Sequence, residues 1–309
     1  MLIWELLGTV IGAGFASGRE IATFFAQFRT WGYVGAIIAA LAMVWLSDTK
    51  LPSSSRKFHL AWLFRGLITL MLIATAGAML SGSGEIAALV LPFKFSYWIG
   101  IVVTLALACL LAYRTDSGLS WLGRGLLAIL FTLLLIALTL PGTDTAVISA
   151  SSPWQALGRS LCYSGFNAAL LIPVLQRRHS VHHKASLIGM GIIFSVLLCV
   201  GNLAFQLHPE IIHETMPFVT LTRQLGKPSF YLCTLCIYMG ILSTLTACLR
   251  SLGQSWLALV SVVIVSCFGF GTVVEHAYTL IGGLCFLLLL IAKFLNCSGR
   301  AFHSQPNML

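Results

Sequence analysis

Charged residues are scarce in this sequence: Asp, Glu, Lys and Arg make up only 9% of the 309 residues, whereas 58% are hydrophobic. A soluble domain carries charge on about a quarter of its residues. With a mean hydropathy of +0.95, the chain has too few polar side chains to cover a water-soluble globule. The composition therefore excludes a soluble protein and predicts an integral membrane protein whose main partner is the lipid bilayer.

Enzyme signatures are missing as well. The sequence contains no HExxH, no GxSxG and no P-loop pattern, and the carboxylates inside its apolar segments are not paired at helical spacing. Cys233 and Cys236 form a CxxC without a second pair or a nearby His, so we interpret them as packing residues rather than metal ligands. We predict that the protein is not an enzyme and needs no cofactor other than Na⁺ or H⁺ as a coupling ion.

Long apolar segments recur along the whole chain. A helix needs about 20 predominantly apolar residues to cross a bilayer, and the runs here are continuous rather than alternating, which indicates helices. We predict an all-α integral membrane protein of about ten transmembrane helices. Their predicted positions are 2–28, 31–47, 66–91, 95–113, 119–140, 154–176, 186–207, 229–249, 255–273 and 276–295.

Basic residues outnumber acidic ones, 18 against nine, which gives a net charge of +9. In a membrane protein this excess is typical of cytoplasmic loops, so we expect no nucleic-acid partner. With an inner N-terminus, the larger share of Lys and Arg falls in inner loops and the tail: Lys50, Arg56, Lys57, Arg65, Arg114, Arg124, Arg177, Arg178, Lys184, Arg250, Lys293 and Arg300. The bias predicts that both termini are cytoplasmic and that the number of helices is even.

The first predicted span is unusual for a lipid-facing helix. The segment from Gly8 to Glu20 contains four glycines and ends in the charged pair Arg19–Glu20. Glycine costs a helix about 1 kcal/mol relative to alanine. Small-residue packing between helices explains part of the glycines, but ionisable residues within a span usually face a partner or a cavity. We therefore predict a broken helix, whose free N–H groups can hold a carboxylate and whose free carbonyls can hold Na⁺.

A matching feature occurs in the sixth predicted span, where Gly165-Phe166 repeats the Gly14-Phe15 pair of the first span. Five helices separate the two pairs, and since five is odd, two five-helix repeats would have opposite orientations in the membrane. Interrupted segments at corresponding places in inverted repeats point to a central binding site. We predict a first repeat over residues 1–140, an inverted second repeat over 141–296 and a cytoplasmic tail over 297–309.

The remaining polar residues inside spans are few. In the eighth span Gly240, Ser243 and Thr244 share one helix face and can complete a Na⁺ site with first-span carbonyls, unless the hydroxyls bond back to their own helix or join helices. Glu20 and Glu85 are candidates for proton coupling, although Glu85 can also be an interfacial residue at a helix end. Three others either line a cavity or join helices: Tyr163, Asn167 and Tyr238.

The residues from Gly8 to Ile21 resemble the opening signature of the YkvI-type family, which is classed among bacterial amino-acid permeases. Looser blocks at 78–85, 163–175 and 216–217 also resemble that family, so the resemblance covers most of the chain. It implies a place in the amino acid–polyamine–organocation superfamily and a multi-pass location in the plasma (inner) membrane of a bacterium. It also implies a LeuT-like 5+5 inverted-repeat fold in which the first and sixth helices are broken.

The resemblance further implies two sets of site residues. The Na⁺ site would take carbonyls of Gly8 and Ile11 together with Gly240, Ser243 and Thr244. The substrate's carboxylate would be held by backbone N–H groups of the first span and its ammonium group by carbonyls near 163–166, with Phe15, Phe166 and Tyr238 shaping the pocket. The substrate set comprises Ala13, Gly14, Phe15, Ala16, Ser17, Tyr163, Ser164, Gly165, Phe166, Asn167 and Tyr238.

The function that we predict is secondary active transport of a small amino acid or related zwitterion, driven by a Na⁺ or H⁺ gradient and working by alternating access. The alternative is a membrane sensor or assembly scaffold that keeps a permease fold without transporting. Substitution of Ser243 and Thr244 discriminates the two hypotheses, because a scaffold should tolerate it.

Overall fold

The computed structural model describes residues 2–49, 58–113, 131–132, 135–136, 138–142, 152–177, 183–253 and 255–303. Every regular element in these ranges is helical. The α-helices are α1 (Leu2–Val10), α2 (Ala13–Ala16), α3 (Arg19–Phe24), α4 (Thr30–Ser47), α5 (Phe58–Val90), α6 (Ser96–Ala112), α7 (Pro153–Arg177), α8 (His183–Leu207), α9 (Pro217–Gln224), α10 (Lys227–Ser251), α11 (Trp256–Ser266), α12 (Phe270–Thr272) and α13 (Tyr278–His303). Two 3-10 turns, Ala26–Phe28 and Pro209–Ile211, and a π turn, Val273–Ala277, complete them.

Helices lie where the apolar segments predict them: the second, third, fourth, sixth, seventh and eighth predicted spans correspond to α4, α5, α6, α7, α8 and α10. Within the described ranges, five helices are long and apolar enough to cross a membrane, namely Thr30–Ser47, Trp62–Val90, Lys184–Leu207, Lys227–Ser251 and Phe270–Leu295. Helices α6 and α11 are shorter apolar helices. The predicted fifth span, 119–140, lies largely outside the described residues.

The ninth predicted span is shorter than expected. We predict one helix over 255–273, but α11 has only 11 residues, which reach about 16 Å and cannot cross a hydrocarbon core of about 30 Å. The chain turns at Gly269, whose φ is +84°, and continues as a helix from Phe270 to His303. Apolar residues run through this turn, so hydropathy alone cannot locate it. The tail predicted over 297–309 is accordingly helical as far as His303.

The sixth predicted span is not broken, which corrects the prediction. Helix α7 is continuous through Gly165. A β-carbon at Gly165 would lie 2.3 Å from the carbonyl oxygen of Gly282 in α13, and one at Gly282 would lie 2.2 Å from that of Cys162. The two glycines let the backbones of α7 and α13 approach closely, as small residues do between membrane helices. Gly165 therefore serves packing rather than unwinding.

The helices form two groups that meet beside the first span. In one group, α4 packs against α7 and α8, and α1 packs against α8. In the other, α5 packs against α6, α10 and α11. Helix α13 contacts both α7 and α5, and the short α2 contacts α10. The interrupted first span therefore lies at the junction of the two groups.

The connector between α8 and α10 covers the first span. We predict one amphipathic interfacial helix over 208–228, but the segment forms a 3-10 turn and the separate helix α9. The apolar side chains of this connector are buried in the protein: Ile211, Ile212, Met216, Phe218, Val219 and Leu221. The Phe218 N–H donates a 3.0 Å hydrogen bond to the Ser17 carbonyl, which attaches α9 to the first span.

Candidate functional site

The first span is interrupted, as its glycines predict, and the structure shows two interruptions. Helix α1 ends at Val10, and the Gly12 N–H donates to the Val10 carbonyl at 3.1 Å. In a continuous helix this amide would bond to Gly8, so the Gly8 carbonyl loses its usual partner. The four residues of α2 follow, and a second interruption at Ser17-Gly18 precedes α3.

The second interruption is tightly fixed. Gly18 has a φ of +83°, and a β-carbon there would lie 2.9 Å from Cζ of Phe205, so glycine is required on both grounds. The buried Ser17 hydroxyl donates to the Gly14 carbonyl at 2.9 Å. Since the Ser17 carbonyl also accepts from Phe218, this turn has defined partners on both sides.

Glu20 lies just beyond the second interruption and is only 5% exposed. The Tyr163 hydroxyl of α7 donates to Glu20 Oε2 at 3.0 Å. The other carboxylate oxygen, Oε1, lies against the backbone of Gly14, where a β-carbon would come within 2.1 Å of it. Gly14 and Tyr163, both predicted site residues, thus meet at a carboxylate that we predict as a proton-coupling candidate.

Aromatic rings surround the Tyr163 side chain that donates to this carboxylate. The Tyr163 ring lies 5.0 Å from Phe24, 5.1 Å from Phe25 and 6.2 Å from Phe194, measured between ring centroids. Phe15 packs at 5.6 Å from Phe194. The surroundings of Glu20 are therefore apolar and exclude water, which strengthens any electrostatic interaction made there.

The α7 residues of the predicted substrate set are mostly engaged within the protein. The Ser164 hydroxyl donates to the Leu161 carbonyl at 2.8 Å, and the Asn167 amide donates to the Tyr163 carbonyl at 3.0 Å. The Phe166 ring stacks on Tyr278 at 4.3 Å. Because α7 is continuous, its carbonyls near 163–166 also bond within the helix. The free carbonyls that the resemblance implies for an ammonium group are absent from this segment.

The predicted ion-binding residues lie partly together. A β-carbon at Gly12 would be 3.9 Å from the Thr244 hydroxyl oxygen, so α10 faces the first interruption. Within the described residues, the Ser243 and Thr244 hydroxyls form no hydrogen bond, whereas Thr246 bonds back to the Leu242 carbonyl at 2.6 Å. Ile11, Gly240, Ser243 and Thr244 are partly buried, and Gly8 is exposed.

Two other predicted residues lie elsewhere. The Tyr238 hydroxyl is hydrogen-bonded to Thr104 of α6 at 3.1 Å, so it joins two helices of the second group. Glu85 is partly buried in α5. No ion pair or hydrogen bond of the Glu85 carboxylate occurs among the described residues. Ala16 is partly buried in α2, and the backbone of Ala13 begins that helix.

The structure also shows an ion-pair cluster that the sequence pattern does not predict. Arg19 forms a 3.4 Å ion pair with Glu275 of the π turn and donates to the Glu214 carbonyl of the connector at 3.2 Å. Arg159 of α7 donates to the Glu275 carbonyl at 3.2 Å and to the Thr279 hydroxyl at 2.7 Å. The available signal was that Arg159 and Glu275 are ionisable residues within or between predicted spans.

These features define a polytopic helical membrane protein whose N-terminal helical segment is broken beside a buried carboxylate. The chain is 25% identical to the uncharacterized membrane protein YkvI of Bacillus subtilis (strain 168) over 340 aligned positions, covering 94% of this chain and 95% of that protein. It is 26% identical to the uncharacterized protein YyaD of the same bacterium over 322 positions, covering 92% and 93% of the two chains. No family model matches the chain. The similarity supports a family of membrane proteins.

Proposed function

We propose that this protein is a secondary active transporter for a small amino acid or related zwitterion, coupled to Na⁺ or H⁺. The observation that carries the proposal is the double interruption of the first span, with Ser17 and Glu20 buried beside it. Irregular backbone at membrane depth is tolerated only where it is buried in protein or lines a cavity. Transporters use such interrupted helices to bind substrates and coupling ions.

The substrate's carboxylate would be held by backbone amides at the start of α2, from Ala13 to Phe15, because the first N–H groups of a helix have no acceptor within it. The Ala16 N–H already donates to the Gly12 carbonyl at 3.0 Å. The aromatic rings around Tyr163, the hydrogen-bond partner of Glu20, would enclose the substrate and exclude water. Because the α7 carbonyls are used within their own helix, the partner of the ammonium group must be sought elsewhere.

The Na⁺ form of the proposal rests on α10. The Ser243 and Thr244 hydroxyls have unused hydrogen-bonding capacity, and the Thr244 hydroxyl faces the interruption at Gly12. Hydroxyl and carbonyl oxygens are suitable ligands for a hard cation. The H⁺ form rests on Glu20, a buried carboxylate at the same interruption.

Alternating access is supported by the two groups of helices. The first span, α4, α7 and α8 would rock against α5, α6, α10 and α11. The Arg19–Glu275 ion pair joins the first span to the π turn, and Arg19 also bonds to the connector. It would open and close access from the connector's side.

The test is thermal unfolding of the purified protein against the twenty proteinogenic amino acids, in Na⁺ and in K⁺ buffers. A ligand at about 100 times its Kd should stabilise the fold by about 2.7 kcal/mol. Stabilisation only in Na⁺, followed by Na⁺-driven uptake into proteoliposomes, supports Na⁺ coupling. Stabilisation in both buffers favours H⁺ coupling or exchange. An absence of stabilisation by all twenty amino acids rejects the proposed substrate class and favours the sensor or scaffold hypothesis.

A further inference from the structure

The Glu20 carboxylate has no cationic partner in the described part of the protein. It is nine-tenths buried or more, and its one hydrogen bond comes from the neutral Tyr163 hydroxyl. An ionised carboxylate is costly to bury without a partner. The group must therefore carry a proton or meet a cation that enters with a ligand.

The adjacent arginine does not supply this charge. Arg19 donates to Glu275 and to the connector carbonyls of Ile212, His213 and Glu214. These partners hold the guanidinium on the side of the connector. Glu20 instead faces Gly14 and Tyr163, so the neighbouring Arg19 and Glu20 side chains contact different parts of the protein.

The elements packed around Glu20 contribute phenols and apolar groups. Helix α7 contributes Tyr163, and α13 contributes Tyr278, whose ring stacks on Phe166 of α7. Helix α8 meets α3 through apolar contacts, with Phe205 against Gly18 and Gly201 against Ile21. The π turn presents Glu275 to Arg19 rather than to Glu20. Among the described residues, Glu20 is thus the one carboxylate that lies beside Gly14 and Tyr163.

Its position suits an α-amino acid. Glu20 Oε1 lies against the backbone of Gly14, in the same short segment whose amides would hold a carboxylate. An α-amino acid carries its ammonium and carboxylate groups on one carbon, so its two partners must be close neighbours. A carboxylate also makes stronger, charge-assisted hydrogen bonds to ammonium than a carbonyl does.

We propose that Glu20 receives the substrate's ammonium group, and that a proton occupies the same carboxyl group when the substrate is absent. This inference rests on the proposed function and names its substrate partner and its coupling ion. On binding, the Glu20 carboxyl O–H bond breaks, its proton passes to water, and the carboxylate pairs with R–NH₃⁺. Each bound ammonium group releases one proton, so the substrate and H⁺ exchange on one residue.

The test compares compounds that differ only in their charged groups. L-alanine, ethylamine and propionate form one set, and L-leucine, 3-methylbutylamine and 4-methylpentanoate form a second. Binding to the purified full-length protein is measured by calorimetry in two buffers of different ionisation enthalpy, which counts released protons. We expect about one proton released per bound amino acid or amine and none with the carboxylates. Loss of a charge-assisted bond should weaken binding of the amino acids and amines to Glu20→Gln by about 10- to 100-fold.

The variants separate this role from a structural one. Gln is isosteric with the protonated Glu20 side chain and can still accept from Tyr163, so Glu20→Gln should fold and bind without proton release. Tyr163→Phe removes the hydrogen bond but keeps the carboxyl group, and it should still release the proton. Asp48→Asn, which removes an exposed carboxylate at the end of α4, is the matched control and should behave as wild type.

Two outcomes would contradict the inference in different ways. If Glu20→Gln binds L-alanine or L-leucine with wild-type affinity and proton count, the inference is wrong while the proposed function stands. If folded wild-type protein binds none of the twenty amino acids and neither amine, the proposed function fails and the inference fails with it. Binding of both amines without either amino acid would support the ammonium–Glu20 pair and reject amino acids as the substrate.

Discussion

The two Gly–Phe pairs of this protein look alike in sequence and differ in structure. Gly14-Phe15 lies in α2, between two interruptions of the first span, whereas Gly165-Phe166 lies inside the continuous α7. A β-carbon at Gly14 would meet the movable end of a Glu20 side chain, but one at Gly165 would meet the backbone of α13. The first glycine leaves room for a functional group, and the second lets two helices approach.

The difference shows that glycine within a membrane segment has at least two structural roles. Where charged and polar residues accompany it, as at Ser17, Arg19 and Glu20, the backbone departs from the helix. Where the neighbours can bond within their own helix, as Ser164 and Asn167 do, the helix continues. The following four predictions test this distinction.

The largest effect is expected from Gly165→Leu. Its side chain would overlap the Gly282 carbonyl and force α7 and α13 apart, which should cost about 3 kcal/mol or more. Thermal unfolding of the purified variant measures the loss. Gly158→Leu is the matched control on the same helix, since a β-carbon there meets nothing within 4 Å. Equal stability of the two variants would show that the α7–α13 contact is not tight.

A second prediction concerns Gly14→Ala. The added β-carbon displaces the Glu20 carboxylate, which can rotate away, so the free energy of unfolding should change by only about 1 kcal/mol. Transport should nevertheless fall at least about tenfold, because small displacements of a binding group are costly. Uptake into proteoliposomes and thermal unfolding are measured together. Wild-type uptake by this variant would remove Gly14 and its neighbours from the site.

A smaller and more selective effect is expected from the double change Ser243→Ala and Thr244→Ala. If these hydroxyls hold Na⁺, the variant should need about tenfold more Na⁺ for the same ligand stabilisation, equivalent to about 1.4 kcal/mol. Thr246→Val is the matched control, because Thr246 already bonds to its own helix. A Na⁺ response that is lost equally in both variants would indicate a general packing effect in α10.

The smallest effect is expected from Arg159→Gln. Arg159 holds the Glu275 carbonyl and Thr279 at the π turn, and because this site is partly exposed to solvent, losing these bonds should cost only about 0.5–1 kcal/mol locally. Hydrogen exchange should rise in residues 273–279 while α7 keeps its protection. Unchanged exchange would show that the π turn is held by other contacts.

Much of the fold could be predicted from the sequence. Hydropathy locates most helices to within a few residues, because a long apolar segment has few alternatives in lipid. The interruption of the first span is also predictable, since four glycines and a charged pair cannot form a stable lipid-facing helix. The turn at Gly269 could not be placed, because apolar residues continue on both sides of it.

The candidate site was predicted in part. Gly14 and Tyr163 were named from the sequence, and the structure brings both to Glu20. The ion pair of Arg19 with Glu275 was not foreseen, since its residues are far apart in the chain and belong to no shared local pattern.

By itself the sequence determined that this chain lies in a membrane, where most of its helices run and that the first one breaks. These properties depend on side-chain hydropathy and local backbone preferences, which act over one turn or one span. Only the tertiary structure decided that Gly165 packs against Gly282 rather than unwinding α7. Likewise, only the tertiary structure pairs Arg19 with Glu275 and places Glu20 beside Tyr163. Each of these outcomes depends on which distant segment lies opposite, and that is set by the packing of the whole bundle.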